Sequence, residues 1–115
     1  VPLDPRPASS LGHIDIPTTD PGAYALRCDS DALAPRVRPG EYVIVEPGAR
    51  VGPGDEVLVT DTFGRTMIQV LLFERDGRVS FASVNDRHRS SMLASDVASM
   101  HLISAIVKST RWSPE

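Results

Sequence analysis

Side chains able to do covalent or metal chemistry are sparse in this chain, and they do not converge. Ser30 lies between Asp29 and Asp31, two residues after Cys28, the only cysteine in the 115 residues. A serine hydroxyl becomes a nucleophile only beside a base, and a lysine serves as that base only when burial keeps its amine neutral. Lys108 is the only lysine; it closes an apolar run far along the chain from Ser30 and reads as an exposed strand-end charge. His13, His88 and His101 are widely separated and share no spacing such as H-x3-H. Neither a zinc site nor a Ser/His/Asp triad follows from them, and no metal or other cofactor is expected. Asp29 and Asp31 have the residue types of a paired-carboxylate site, but acids beside a tight loop ordinarily cap it or face water. Asp86-Arg87-His88-Arg89 reads as a solvated corner whose two arginines are free to meet an acidic patch on a partner. Cys28 reads as a small buried apolar residue.

Composition narrows the function classes. A formal charge of -3 and scattered arginines leave no basic stripe to hold a phosphate backbone, so the chain is not expected to bind nucleic acid by itself. One cysteine excludes an internal disulfide framework and points to a reducing compartment. No apolar run approaches the roughly 18 to 20 residues of a membrane span, and no basic-then-apolar signal segment opens the chain. A cytoplasmic location is the expectation. The first residue is Val1 rather than Met, which suggests a piece of a larger product.

The elements that must position these residues read as strands. Residues 1–22 hold five of the ten prolines, and proline fixes φ and removes a backbone donor, so an extended linker or edge segment is expected there. Within it, Leu11 to Ile16 is short enough to add one strand. Residues 23–115 read as one domain. Tyr42 to Glu46, Glu56 to Thr60, Thr66 to Phe73, Arg78 to Val84 and Met100 to Lys108 are rich in Val, Ile, Leu and Phe, and Tyr24 to Arg27 reads as a further strand. Pro39-Gly40, Pro47-Gly48, Pro53-Gly54, Phe63-Gly64 and Asp76-Gly77 punctuate them, and Asp76-Gly77 between two apolar runs is the strongest hairpin signal. The expectation is a mainly β fold of several short, strongly twisted antiparallel strands. Helix is limited to a turn or two near Ser30 to Ala34, stopped by Pro35, and to Ser91 to Ala98.

One ordered series carries a resemblance. Ser30-Asp31-Ala32-Leu33-Ala34-Pro35, then Gly40, then Val43-Ile44-Val45 is similar to the nucleophile segment of the LexA and phage-repressor family of self-cleaving serine peptidases, which reads roughly G-x-S-M-x-P, then G-D and a Val/Ile run. Downstream, Ile68-Gln69-Val70-Leu71 stands where that family reads V-K-R-L. Asp76-Gly77, the strand to Ser83-Val84-Asn85-Asp86, and the run Met100 to Val107 ending near Arg111 follow in the same order, so the resemblance covers about Tyr24 to Arg111. In this alignment the catalytic Ser falls on Ala32 and the catalytic Lys on Gln69. Asp86 replaces a usual Pro and Leu33 a usual Met.

The resemblance implies a LexA/signal-peptidase-like β-rich fold and a cleft around Ser30, Leu33 and Pro35 in which the dyad positions Ala32 and Gln69 are vestigial. Ala32 has no hydroxyl and Gln69 no basic group, so the expected protein is not an enzyme. It implies a C-terminal domain that dimerises and regulates an N-terminal helix-turn-helix absent from this chain, with operator DNA reached only through that region. Induction without self-cleavage would need another trigger, such as an antirepressor protein or a ligand in the cleft. Met100, Leu102, Ile103 and Ile106 are the candidate dimer-interface residues, because Met100 to Val107 is apolar on both alternations. The other readings are an active peptidase with displaced residues, such as Ser30 as nucleophile, and a stand-alone module binding a peptide in the old groove.

Overall fold

A computed structural model describes residues 20–108, together with the backbone of 12–14 and 112–114. Arg111, the end of the resembling series, lies outside the described residues. Among the described residues are nine strands: β1 (Gly12–Ile14), β2 (Tyr24–Arg27), β3 (Tyr42–Glu46), β4 (Glu56–Asp61), β5 (Thr66–Arg75), β6 (Arg78–Ala82), β7 (Arg89–Leu93), β8 (Val97–Val107) and β9 (Trp112–Pro114). Seven form one antiparallel sheet in the order β2-β3-β8-β4-β5-β6-β7, and β1 pairs with β9 in a separate ribbon. The mainly β expectation holds. The helix expected near Ser91 to Ala98 is instead strand β7 followed by a single 3-10 turn, Ala94–Asp96.

Tight turns connect the ladder where the sequence demands them. Asp76 and Gly77 both take positive φ, 53° and 74°, which the right-handed twist of a two-residue hairpin favours and which Asp and Gly tolerate. At the β4–β5 turn the buried Asp61 accepts the N–H groups of Phe63 and Arg65 on Oδ1 at 2.9 Å each, while its Oδ2 meets Arg65 Nε at 2.8 Å. Burial alone would raise the Asp61 pKa, but these donors and the guanidinium outweigh it and hold the carboxyl below its usual range.

The sheet buries two apolar clusters. The first gathers Leu26, Cys28, Leu33, Val37, Val43, Val45, Leu58, Ile68 and Ile103. The second gathers Val57, Val59, Leu71, Val79 and Phe81, with Met92 and Met100 partly buried against it. Alternation along β4 separates the clusters: Leu58 goes to one and its neighbours Val57 and Val59 to the other, as a period of two requires.

Strand β8 corrects the expectation built on Met100 to Val107. It is central, bonded on one side to β3 and on the other to β4, so it offers no free edge. The β3–β8 register passes from Ile44↔Ala105 to Val45↔Ile103, leaving Ser104 as the extra residue of a bulge. That bulge shifts the alternation, so Ile106 shares the first cluster with Ile103, whereas simple counting assigns it to the face of Met100 and Leu102. Ile103 packs in the first cluster and is only 7% exposed.

Candidate functional site

The loop from Cys28 to Gly40 stands where the sequence aligns a nucleophile. Its neck is closed by two backbone bonds: Cys28 N–H donates to Glu41 O at 2.8 Å, and Gly40 N–H to Cys28 O at 2.7 Å. Gly40 has φ 89°, a left-handed conformation that costs glycine little. Leu33 and Val37 anchor the loop in the first cluster and are bonded to each other, Val37 N–H to Leu33 O at 3.0 Å. The Ala34–Pro35 peptide between them is cis. The polar groups near Ala32 hold the loop's shape: Ser30 Oγ accepts the Ala32 N–H at 3.0 Å, and Cys28 Sγ donates to Ser30 O at 3.2 Å.

Two contacts tie this loop to the sheet. Asn85 Nδ2 donates to Ala32 O at 2.9 Å. Arg36 makes a bidentate contact with Glu56, Nε to Oε2 at 2.7 Å and the second nitrogen to Oε1 at 2.6 Å. The Asn85 corner is itself braced: Asp86 accepts the His88 N–H at 2.9 Å, and that bond, with the Ser83 hydroxyl, holds the Asp86 carboxyl below its usual range. A cleft of about 680 Å³ opens beside the loop, with Arg36, Glu56, Val70, Ser83, Val84 and Ile103 on its walls and Arg87 and Arg89 at the solvated corner. Asp29, one of the paired acids, is bonded to Arg27 at 2.9 Å, and Asp31 is exposed, so the two do not form an acid/base pair.

The structure does not bring Gln69 to Ala32. Residues directly opposite in an antiparallel pair point to the same face. Leu58↔Ile68 lies on the face of the first cluster, under Leu33, whereas Val57↔Gln69 lies on the face of the second. Gln69 lines a smaller cavity of about 220 Å³ with Asp61, Met67, Phe81 and Met92. The β5 residues turned toward the loop are Ile68 and Val70, and Val70, paired with Glu56, lines the cleft. The match of Ile68-Gln69-Val70-Leu71 to V-K-R-L sets Gln69 at the lysine position, whereas the strand pairing turns its neighbour Val70 to the cleft. Neither residue offers a base: an amide stands at 69 and an isopropyl group at 70.

Of the other expected cleft residues, Leu33 is buried in the core, Pro35 is exposed, and Ser30 spends its hydroxyl on the backbone of Ala32. His88 and His101 belong to different strands and loops. No group of three or more His, Cys, Asp or Glu able to hold a metal occurs among the described residues. Asn85 and the Arg36–Glu56 pair are the features sequence reasoning did not single out. The Ser83-x-Asn85 corner was visible in the pattern, but its contact with Ala32 spans residues far apart in the chain.

Comparison with known proteins agrees with this frame. A stretch of 54 residues is 39% identical to Repressor protein C of Rhizobium phage 16-3, covering 44% of this chain and 20% of that protein. The chain thus spans about a fifth of the length of that curated relative. The family model described as Peptidase S24-like matches residues 8–107. That match takes in the Ala32 loop, both apolar clusters and the Asn85 corner, and the chain belongs to the Peptidase S24-like family.

Proposed function

We propose that this chain is a non-cleaving regulatory domain of a repressor, which dimerises and governs a DNA-binding region carried elsewhere in the full protein. The observation that carries the reading is the loop itself: it keeps its closed neck, its Leu33 anchor and its Asn85 brace, yet presents a methyl group at Ala32 and an apolar wall at Ile68 and Val70. Hydrolysis of a peptide bond by a Ser/Lys pair needs a hydroxyl and a neutral amine in contact, and these positions supply neither. Lys108, exposed after β8, is the only lysine, and the Ser30 hydroxyl is an acceptor for the loop backbone. The similarity to a phage repressor supports transcriptional control as the setting. DNA contact would come from a helix-turn-helix preceding this domain, since the chain's net charge of -3 gives little purchase on phosphates.

Regulation without cleavage would act through binding, by an antirepressor protein or by a ligand in the 680 Å³ cleft. That cleft also favours a second reading, a module that binds an extended peptide and has no DNA-binding partner region. Incubation of the full-length protein at alkaline pH, followed by mass spectrometry, is expected to yield no specific fragment. Fragments that disappear on Ser30→Ala would show an active peptidase. A helix-turn-helix upstream and two-fold operator binding by the full protein are expected, and their absence would favour the peptide-binding reading.

A further inference from the structure

The loop-side face of the sheet continues past the cleft onto β5, β6 and β7. Cross-strand pairing assigns its members: Val70↔Ala82↔Arg89 is one row, Phe73↔Ser80↔Ser91 the next, and Arg75↔Arg78↔Leu93 the last. Val70 lines the cleft, so all three rows lie on the cleft side. The β5–β6 register passes from Leu71↔Phe81 to Phe73↔Ser80, leaving Leu72 as the extra residue of a bulge. Leu72 and Arg89 line both the cleft and a smaller hollow of about 280 Å³ that also takes in Phe73, Ser80 and Ser91. The cleft therefore runs on as a groove across the three strands.

Charge in this groove has one sign. Glu74, the acid of β5, pairs with Val79 of the second cluster and belongs to the opposite face, and neither β6 nor β7 holds an acid. Arg75, Arg78 and Arg89 stand on the groove side, joined at the corner by Arg87, and all four are exposed. Arg75 lies over the Phe73 ring at 5.7 Å and Arg78 donates to Ser91 Oγ at 3.2 Å, contacts that leave both charges uncompensated. Among the described residues none of the four forms an ion pair. The acids nearest the cleft are already engaged: Glu56 by Arg36, Asp55 by the Gly52 N–H and Asp86 by the His88 N–H. Beside the arginines, Phe73 and Leu93 are 45% and 46% exposed.

We infer that this groove binds an extended acidic-apolar segment of a partner protein, with carboxylates on the arginines at its two ends and an apolar side chain on Leu72 and Phe73 between them. The inference rests on the proposed regulation through binding and names the chemistry of the partner. The rows of Arg89 and of Arg75 with Arg78 are separated by the four steps from Ala82 to Arg78, about 13 Å at about 3.3 Å per residue. An extended segment turns residues i, i+2 and i+4 to one side over the same length, so an acid-x-apolar-x-acid pattern matches the three rows. Arginine forks suit carboxylates in two-bond geometry. A nucleic-acid backbone fits less well, because it leaves Phe73, Leu93 and Leu72 without an apolar partner and meets a chain of net charge -3.

The test is fluorescence anisotropy of a short fluorescein-labelled peptide in which a leucine stands midway between two glutamates at i and i+4. It is expected to bind this chain with a Kd below about 100 μM at low salt and more weakly as salt rises. Replacing both glutamates by glutamine, or the protein's Arg78 and Arg89 together by glutamate (Arg78→Glu, Arg89→Glu), should weaken binding at least about tenfold. Phe73→Ser should weaken it at least about threefold. These side chains are exposed, so the circular dichroism spectrum is expected to stay unchanged. A peptide with lysines in place of the glutamates should bind the doubly substituted protein more tightly than it binds wild type, a reversal that damage to the fold would not produce. No saturable binding by wild type up to about 1 mM would overturn the inference, as would equal binding of the glutamine peptide or a failed reversal. Duplex DNA held more tightly than the peptide, and lost in the same variant, would overturn it in favour of a phosphate backbone. Each of these failures leaves the non-cleaving reading to its own mass-spectrometric test.

Discussion

The two faces of the β4–β5 ladder are built from the same strands, one residue out of step, and they differ in what they hold. On one face Leu58, Ile68 and Val70 lie under the Ala32 loop and beside the cleft. On the other, Val57, Gln69 and Leu71 join Phe81 and the buried Asp61 turn. A catalytic pair can form only on the face that meets the loop, so one step of alternation decides whether a side chain belongs to the site. The lesson is that a strand residue is assigned to a site by its cross-strand partner and not by its distance along the chain.

The largest effect that would break this division is a charge driven into the loop-side core. Ile103→Asp places an unpaired carboxylate among Val45, Leu58 and Leu33 and is expected to cost more than about 4 kcal/mol, enough to abolish the folded state. Leu102→Asp, one residue along and half-buried on the opposite face, should remain folded with a smaller loss. Circular dichroism and urea unfolding compare the two. A folded Ile103→Asp protein would show that this face is not a core and would restore Ile103 as an interface candidate.

A second contrast is sharper. Leu33→Ala removes the anchor of the loop, 5% exposed, and is expected to cost about 2 to 4 kcal/mol through lost burial and the cavity left behind. Gln69→Ala, partly exposed on the other face, is expected to change stability by under about 1 kcal/mol. Equal losses measured by urea midpoint would mean that Gln69 packs where Leu33 does.

Much of this arrangement was legible in the sequence. The bounds of β2 and β3 match the apolar runs, and the Pro and Gly turns fall between strands as their φ preferences require. The loop was legible because Pro35 and Gly40 stand at fixed offsets from Ala32. Strand β7 was not, because an edge strand with one half-buried Met92 and exposed Ser90 and Ser91 carries no apolar alternation to detect. The face of Gln69 was lost for a related reason: composition shows that β5 is a strand but not which residue pairs with Leu58. The bulge at Ser104 hid the face of Ile106 in the same way, since one extra residue reverses every position beyond it.

The Asp61 turn gives the face of the second cluster a pH dependence of its own. Its carboxyl titrates below the usual value in the folded protein, so the folded state binds fewer protons than the unfolded chain near that range. The resulting stability is complete above the unfolded pKa of about 3.9 and is lost as pH falls through the lower folded value. Asp61→Asn should destabilise at pH 7, and the gap to wild type should narrow in acid. Urea midpoints at pH 7 and pH 3 measure it. A gap of the same size at both would place the value of Asp61 in its shape and not in its charge.

The smallest effect expected is the clasp between loop and ladder. Arg36 and Glu56 make a planar two-bond contact, the better geometry for an ion pair, and the bond to Glu56 is the main cause of a raised Arg36 pKa. Yet the Arg36 side chain is 50% exposed and that of Glu56 22%, so solvent screens most of the attraction. A coupling energy of about 0.5 to 1 kcal/mol is expected from the double-mutant cycle of Arg36→Ala and Glu56→Ala. It should shrink on raising salt from about 0.05 to 1 M, where the screening length falls to about 3 Å. If the coupling exceeds about 2 kcal/mol and ignores salt, the pair is shielded from solvent, and the loop would then be held to β4 by charge more than by Leu33. If no coupling is found, the loop rests on its apolar anchors and the Asn85 bond alone, and the contrast between the two faces becomes one of packing only.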